Sequence, residues 1–166
     1  MNEDSGFIIL NNITFHLMAT LTQKAQEARK FAHLTFELRD QLRQFLQKKF
    51  RENNIDVTYE MQQIMACLWK TDGIRQQELA DRTLKDKASL TGLINNLAKR
   101  NLVKRVEDPE DRRSKLIFLT APGKKLGKEI EPWLEELYSI VGGNVDIKEI
   151  RKWTEIVQRM VNNIGH

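Results

Sequence analysis

The reactive side chains in this sequence are few and poorly placed for catalysis. His16, His33 and His166 lie far apart, with no cysteine neighbour and no His-x-x-x-His partner, so they form no metal-ligand pattern. The single cysteine, Cys67, sits among Met65, Ala66 and Leu68, where a small buried hydrophobe is expected. A reactive thiol needs an exposed, electropositive setting instead. One cysteine also rules out an intrachain disulfide framework. No glycine-rich phosphate loop, serine elbow or paired-carboxylate arrangement occurs, and no motif suggests a cofactor. The residues therefore argue against an enzyme.

Charge is the chemistry that remains. The whole chain carries 27 Lys and Arg against 23 Asp and Glu, a net +4. Between Gly73 and Lys128 there are 14 basic residues and 7 acidic ones, a local +7, while the flanks together carry −3. A basic middle between mildly acidic ends fits a polyanion-binding unit set in a scaffold with another task.

The elements that must position this charge can be read from spacing. A chain of 166 residues, 40% hydrophobic and 30% charged, is globular and fits one domain or one small domain plus an appendage. No apolar run approaches the ~20 residues of a membrane span. The acidic start, Met1 to Asp4, lacks a signal-peptide layout, so a cytoplasmic protein is expected. From Lys24, apolar residues at Ala28, Phe31, Leu34, Leu38, Leu42, Phe45, Leu46 and Phe50 step by threes and fours along one helix face. Leu10, Ile13, Leu17, Met18 and Leu21 keep that rhythm, leaving open whether Asn11 to Asn53 is one rod or two helices. Thr58 can cap a second helix carrying Met61, Ile64, Met65 and Leu68.

Two short helices follow, Gln76 to Thr83 and Asp86 to Arg100, the second with Leu90, Ile94 and Leu97 facing inward. The period then changes: Leu102 to Glu107 and Lys115 to Leu119 read as strands of a hairpin with a charged tip. Thr120 and Pro122 open another helix, which runs to Gly142-Gly143, and a last helix starts at Asp146. The sum is a mainly α protein with a small β-hairpin wing: a winged helix-turn-helix plus a helical region built from both chain ends. Apolar helices at both ends exceed what the winged unit can cover, which predicts a dimer.

Gln77-Glu-Leu-Ala-Asp-Arg82, Asp86-Lys87, Leu102-Val103, Asp108-Pro-Glu-Asp-Arg-Arg113 and Leu119-Thr120 together resemble the MarR family of bacterial transcription regulators. The acidic wing ending in Asp-x-Arg, with Leu-Thr six residues later, is the most specific element. The motifs span roughly Thr58 to Leu126; the flanking helices match by layout only. The resemblance implies dimerisation regions at 1–57 and 126–166 around a DNA-binding domain at 58–125. It implies a homodimer, mainly repressing, whose two winged units bind a pseudo-palindromic operator in double-stranded DNA.

On that reading the helix Asp86 to Arg100 enters the major groove and presents Lys87, Ala88, Thr91, Gly92, Asn95 and Lys99, with Ser89 in its first turn. Asn can pair with adenine, and Ala and Thr methyls can touch thymine methyls. Gln76 and Gln77 have amides suited to phosphates. In the wing, Arg113 takes the family's minor-groove position, Asp111 steers it, and Arg112 can share the role. Gly92 and Asn95-Asn96 stand where many members have an arginine and an Asp-Arg pair, so the operator cannot be borrowed from relatives. Members often bind small aromatic or lipophilic acids between the dimer helices and the wing unit, which makes a small-molecule effector an expected partner. A winged-helix module that binds an acidic protein, without specific DNA readout, is the alternative.

Overall fold

The computed structural model describes residues 22–111 and 114–164. They form six helices and one small antiparallel sheet. By contacts the chain divides into two units, Met1–Gln44 and Phe45–His166. The first helix, α1 (Gln23–Glu52), is unbroken over its described length. The expected apolar positions from Leu10 to Leu21 lie outside the described residues. In the first unit Leu34, Phe36 and Leu38 on α1 are exposed.

The second unit contains the end of α1, where Leu46 and Phe50 are buried. Phe50 meets the Trp133 ring in a tilted contact with centroids 6.3 Å apart. Asn53 stops the helix by turning its side-chain amide onto the Lys49 carbonyl, and Asn54 takes the left-handed conformation that reverses the chain. Thr58 then caps α2 (Tyr59–Lys70), its Oγ1 accepting from the Met61 amide at 3.2 Å. Met61, Ile64, Met65 and Leu68 are buried, which makes α2 the central helix of the unit. Cys67, expected to be buried, is half-buried.

The chain leaves α2 through Asp72-Gly73. Gly73 has φ +73°, and the Phe118 ring occupies the space a Cβ would need. A two-residue strand follows, β1 (Ile74–Arg75), which the sequence pattern does not reveal. It runs directly into α3 (Gln76–Thr83); Leu84 in the left-handed region then turns the chain into α4 (Lys87–Lys99). Leu79, Leu90, Ile94 and Leu97 are fully buried where α3 and α4 meet the core.

The hairpin consists of β2 (Val103–Glu107) and β3 (Lys115–Leu119), registered from Val103 opposite Leu119 to Glu107 opposite Lys115. β1 pairs with the other edge of β3, giving the strand order β1-β3-β2. Two residues suffice for β1 because its backbone has only to anchor the wing to the start of α3.

Thr120 caps α5 (Ala121–Gly142), with its Oγ1 accepting from the Gly123 amide and Pro122 in the first turn. The helix continues through Pro132. Gly123 and Gly127 allow its first two turns to lie close to the rest of the unit. A Cβ on Gly123 would collide with the Leu102 carbonyl oxygen, and one on Gly127 with the Trp69 indole. Trp69 Nε1 donates to the Gly123 carbonyl at 3.1 Å. After Gly143 the chain enters α6 (Ile147–Ile164), none of whose residues is buried. None of the described helices is long and apolar enough to cross a membrane.

Candidate nucleic-acid interface

α4 is built to show one face and bury the other. Asp86 caps it, accepting from the Ser89 amide at 2.9 Å and the Ser89 hydroxyl at 2.6 Å. The Ser89 hydroxyl, then its amide, hold the Asp86 carboxyl below its usual range. With Leu90, Ile94 and Leu97 inward, the helical period turns Ala88, Gly92, Asn95 and Lys99 outward in a single line. Lys87, Ser89 and Asn96 are exposed beside that line.

Not every expected contact residue is equally open. Thr91 is half-buried: its hydroxyl donates to the Lys87 carbonyl and accepts from Gln76 Nε2 at 2.9 Å. Gln76 is thereby tied to α4, and so fixes the angle between the two helices of the helix-turn-helix. Gln77 is exposed and donates to Asp81 within α3.

Between the start of α3, the start of α4 and the wing lies a groove of about 350 Å³. Arg75, Gln76, Gln77, Lys87, Ser114 and Lys115 line it, and none of the described lining residues is acidic, although Arg75 and Lys115 are paired with acids just outside it. Lys87, Lys99, Lys104 and Arg105 have no acidic partner among the described residues, so their charges face solvent.

The wing is braced from within. Asp108 is buried and accepts from Arg75 Nε at 2.6 Å and from the Glu110 amide at 2.9 Å. The Glu110 amide, then the Arg75 guanidinium, hold the Asp108 carboxyl below its ordinary range, and the same pairing raises Arg75. Ser114 closes the turn, donating its amide to the Asp111 carbonyl and its hydroxyl to the Asp111 carboxylate, both at 2.8 Å. Across the strands Lys115 pairs with Glu107 at 2.8 Å and lowers its carboxyl. Arg112 and Arg113, the expected minor-groove residues, lie outside the described residues.

A model of the MarR family matches residues 58–115. The transcriptional regulator FarR of Neisseria gonorrhoeae is 31% identical over 103 residues, covering 61% of this chain and 70% of its own length. The chain belongs to the MarR family. The fold of this MarR-family regulator is also that of Staphylococcus aureus MepR solved as a DNA complex, with a TM-score of 0.73 at 21% identity. That match covers 80% of this chain and 97% of MepR. Bordetella bronchiseptica BpsR, whose DNA binding is regulated by 6-hydroxynicotinic acid, aligns with a TM-score of 0.69 at 22% identity, over 80% of this chain and 98% of its own. This chain is accordingly a transcription regulator with a DNA-binding winged helix.

One positioning contact escapes sequence reasoning in this MarR-family chain. Arg75 belongs to the basic middle of the chain, yet its guanidinium is committed to Asp108 and Glu110, 33 and 35 residues away. A clue is present in the sequence. Residue 75 is the N-cap of α3, a place that favours Ser, Thr, Asp or Asn, and an arginine there gives no side-chain cap bond.

Proposed function

We propose that this protein is a homodimeric repressor of a pseudo-palindromic operator, with one α4 in the major groove of each half-site. The observation that carries the reading is the outward line of Ala88, Gly92, Asn95 and Lys99, backed by buried Leu90, Ile94 and Leu97 and flanked by the acid-free groove. In this reading Lys87, Ala88, Ser89, Thr91, Gly92, Asn95 and Lys99 meet base edges and phosphates. Gln76 and Gln77 contact the DNA backbone, and Arg113, steered by Asp111, enters the minor groove, with Arg112 able to share that role. Residues 58–125 bind DNA, while 1–57 and 126–166 dimerise.

Dimerisation is supported by the apolar residues left uncovered on the terminal elements. On α6, Ile147, Trp153, Val161 and Ile164 are exposed, as are Tyr138, Ile140 and Val141 near the end of α5. An amphipathic helix that buries no residue within its own chain calls for a second surface. Release by a small aromatic or lipophilic acid is supported by the regulation of BpsR by 6-hydroxynicotinic acid. Such a ligand acts by binding more tightly to a spacing of the two α4 helices that cannot span both half-sites.

The test is a gel-shift scan of the region upstream of the protein's own gene, repeated across salt. Specific retention of one fragment, weakening steeply as salt rises, is the expected result. Failure to retain any fragment specifically at low salt sinks the proposal. Retention of an acidic protein with no specific fragment favours the interaction module instead.

A further inference from the structure

Gly92 lies in the interior of α4, on its exposed side, one turn after Ala88 and one turn before Asn95. Its φ is not in the left-handed region, and a Cβ built on it meets no atom within 4 Å. Neither of the usual intramolecular reasons for glycine, a positive φ or a crowding neighbour, therefore applies. Gly73 and Gly123 have such reasons, since ring and carbonyl atoms fill the space where their side chains would be. At Gly92 the fold would be better served by any good helix former, because mid-helix glycine is the poorest choice after proline.

The neighbours along the line point the same way. Ala88 projects one carbon, Gly92 none, and the Asn95 amide stands only one bond beyond its Cβ. A helix with side chains is about 10–12 Å across, and the major groove is about 12 Å wide. Short side chains reach base edges only if the helix axis sits deep. A long residue in their midst would hold the axis away from the floor of the groove.

We propose that Gly92 is the point of closest approach between this protein and its operator, where backbone rather than side chain packs against a base-pair edge. The glycine sets the depth of α4, and that depth brings Ala88 and Asn95 within reach of bases. The inference rests on the DNA reading above and adds to it a residue whose contribution is the absence of a side chain.

Two variants in the full chain test this, Gly92→Ala and Gly92→Lys, each measured for thermal stability and for operator affinity by fluorescence anisotropy. Gly92→Ala is expected to raise Tm by about 2–4 °C through helix propensity. It should also weaken operator binding about tenfold or more, the scale of a disrupted base-pair contact. Gly92→Lys adds a cation at the centre of the DNA face, so a shallow helix would gain affinity from it and a deep one would lose affinity. Loss in both variants supports the inference. Unchanged binding by Gly92→Ala, or tighter binding by Gly92→Lys, overturns it while leaving the DNA reading intact. If the wild-type protein binds no operator, the DNA reading itself falls, and the inference falls with it.

Discussion

Gly123→Ala tests how the long C-terminal helix is joined to the DNA-binding unit. The new Cβ would be driven into the Leu102 carbonyl oxygen and within 3.3 Å of Leu119 Cδ2. The Leu102 oxygen cannot simply move aside, because it accepts the Thr120 amide at 3.1 Å. If α5 shifts instead, the Trp69 Nε1 bond to the Gly123 carbonyl lengthens. Overpacking costs about 1–3 kcal/mol. Each weakened hydrogen bond adds about 1 kcal/mol, and the gain in helix propensity returns about 1 kcal/mol. With one of these bonds weakened the net loss is about 1–3 kcal/mol, or a fall in Tm of about 2–12 °C for a chain of this size. Thermal unfolding followed by circular dichroism measures it, with Trp69 fluorescence reporting the altered indole environment. A neutral or stabilising Gly123→Ala would refute the close packing of α5 on the winged unit.

Three further outcomes follow from the geometry. Asp108→Asn is expected to destabilise the protein at neutral pH; because the folded carboxyl is depressed, the wild-type advantage is complete above the ordinary value of 3.8 and fades as pH falls below it, which urea midpoints across pH will show. Lys99→Ala removes one uncommitted cation per protomer, and should lower the slope of log affinity against log salt by about two per dimer if both lysines meet phosphates. Trp153→Asp, at an apolar α6 position 50% exposed in the single chain, is expected to weaken self-association about thirtyfold or more in sedimentation equilibrium, as for a buried interface tryptophan.

Much of this architecture is legible from spacing because each element carries a local signal. Asp86 and Thr58 mark helix starts whose cap bonds the structure contains, and Leu90, Ile94 and Leu97 keep the period that buries them. The short strand Ile74–Arg75 has no such signal, since two residues show no alternation and its partner, β3, lies some forty positions onward. The same holds for the site. The exposed line on α4 follows from period, but the pairing of Arg75 with Asp108, and of Gln76 with Thr91, depends on the turn between elements, which periodicity does not encode. Likewise Gly123 and Gly127 look like weak points in a helix until the Leu102 carbonyl and the Trp69 ring are seen against them.

No residue separates β1 from α3: the strand ends at Arg75 and the helix begins at Gln76. The opposite edge of the same sheet leads back through Leu102 to α4, and one carboxylate, Asp72, holds the Leu119 amide at 2.8 Å and the Lys124 ammonium at 3.1 Å. Sheet and helix are thus joined by short connections at both edges. On the DNA contacts proposed above, a displacement at the end of β3 would be passed to α3 and α4 together, so wing and α4 would be expected to engage or leave the duplex as a pair.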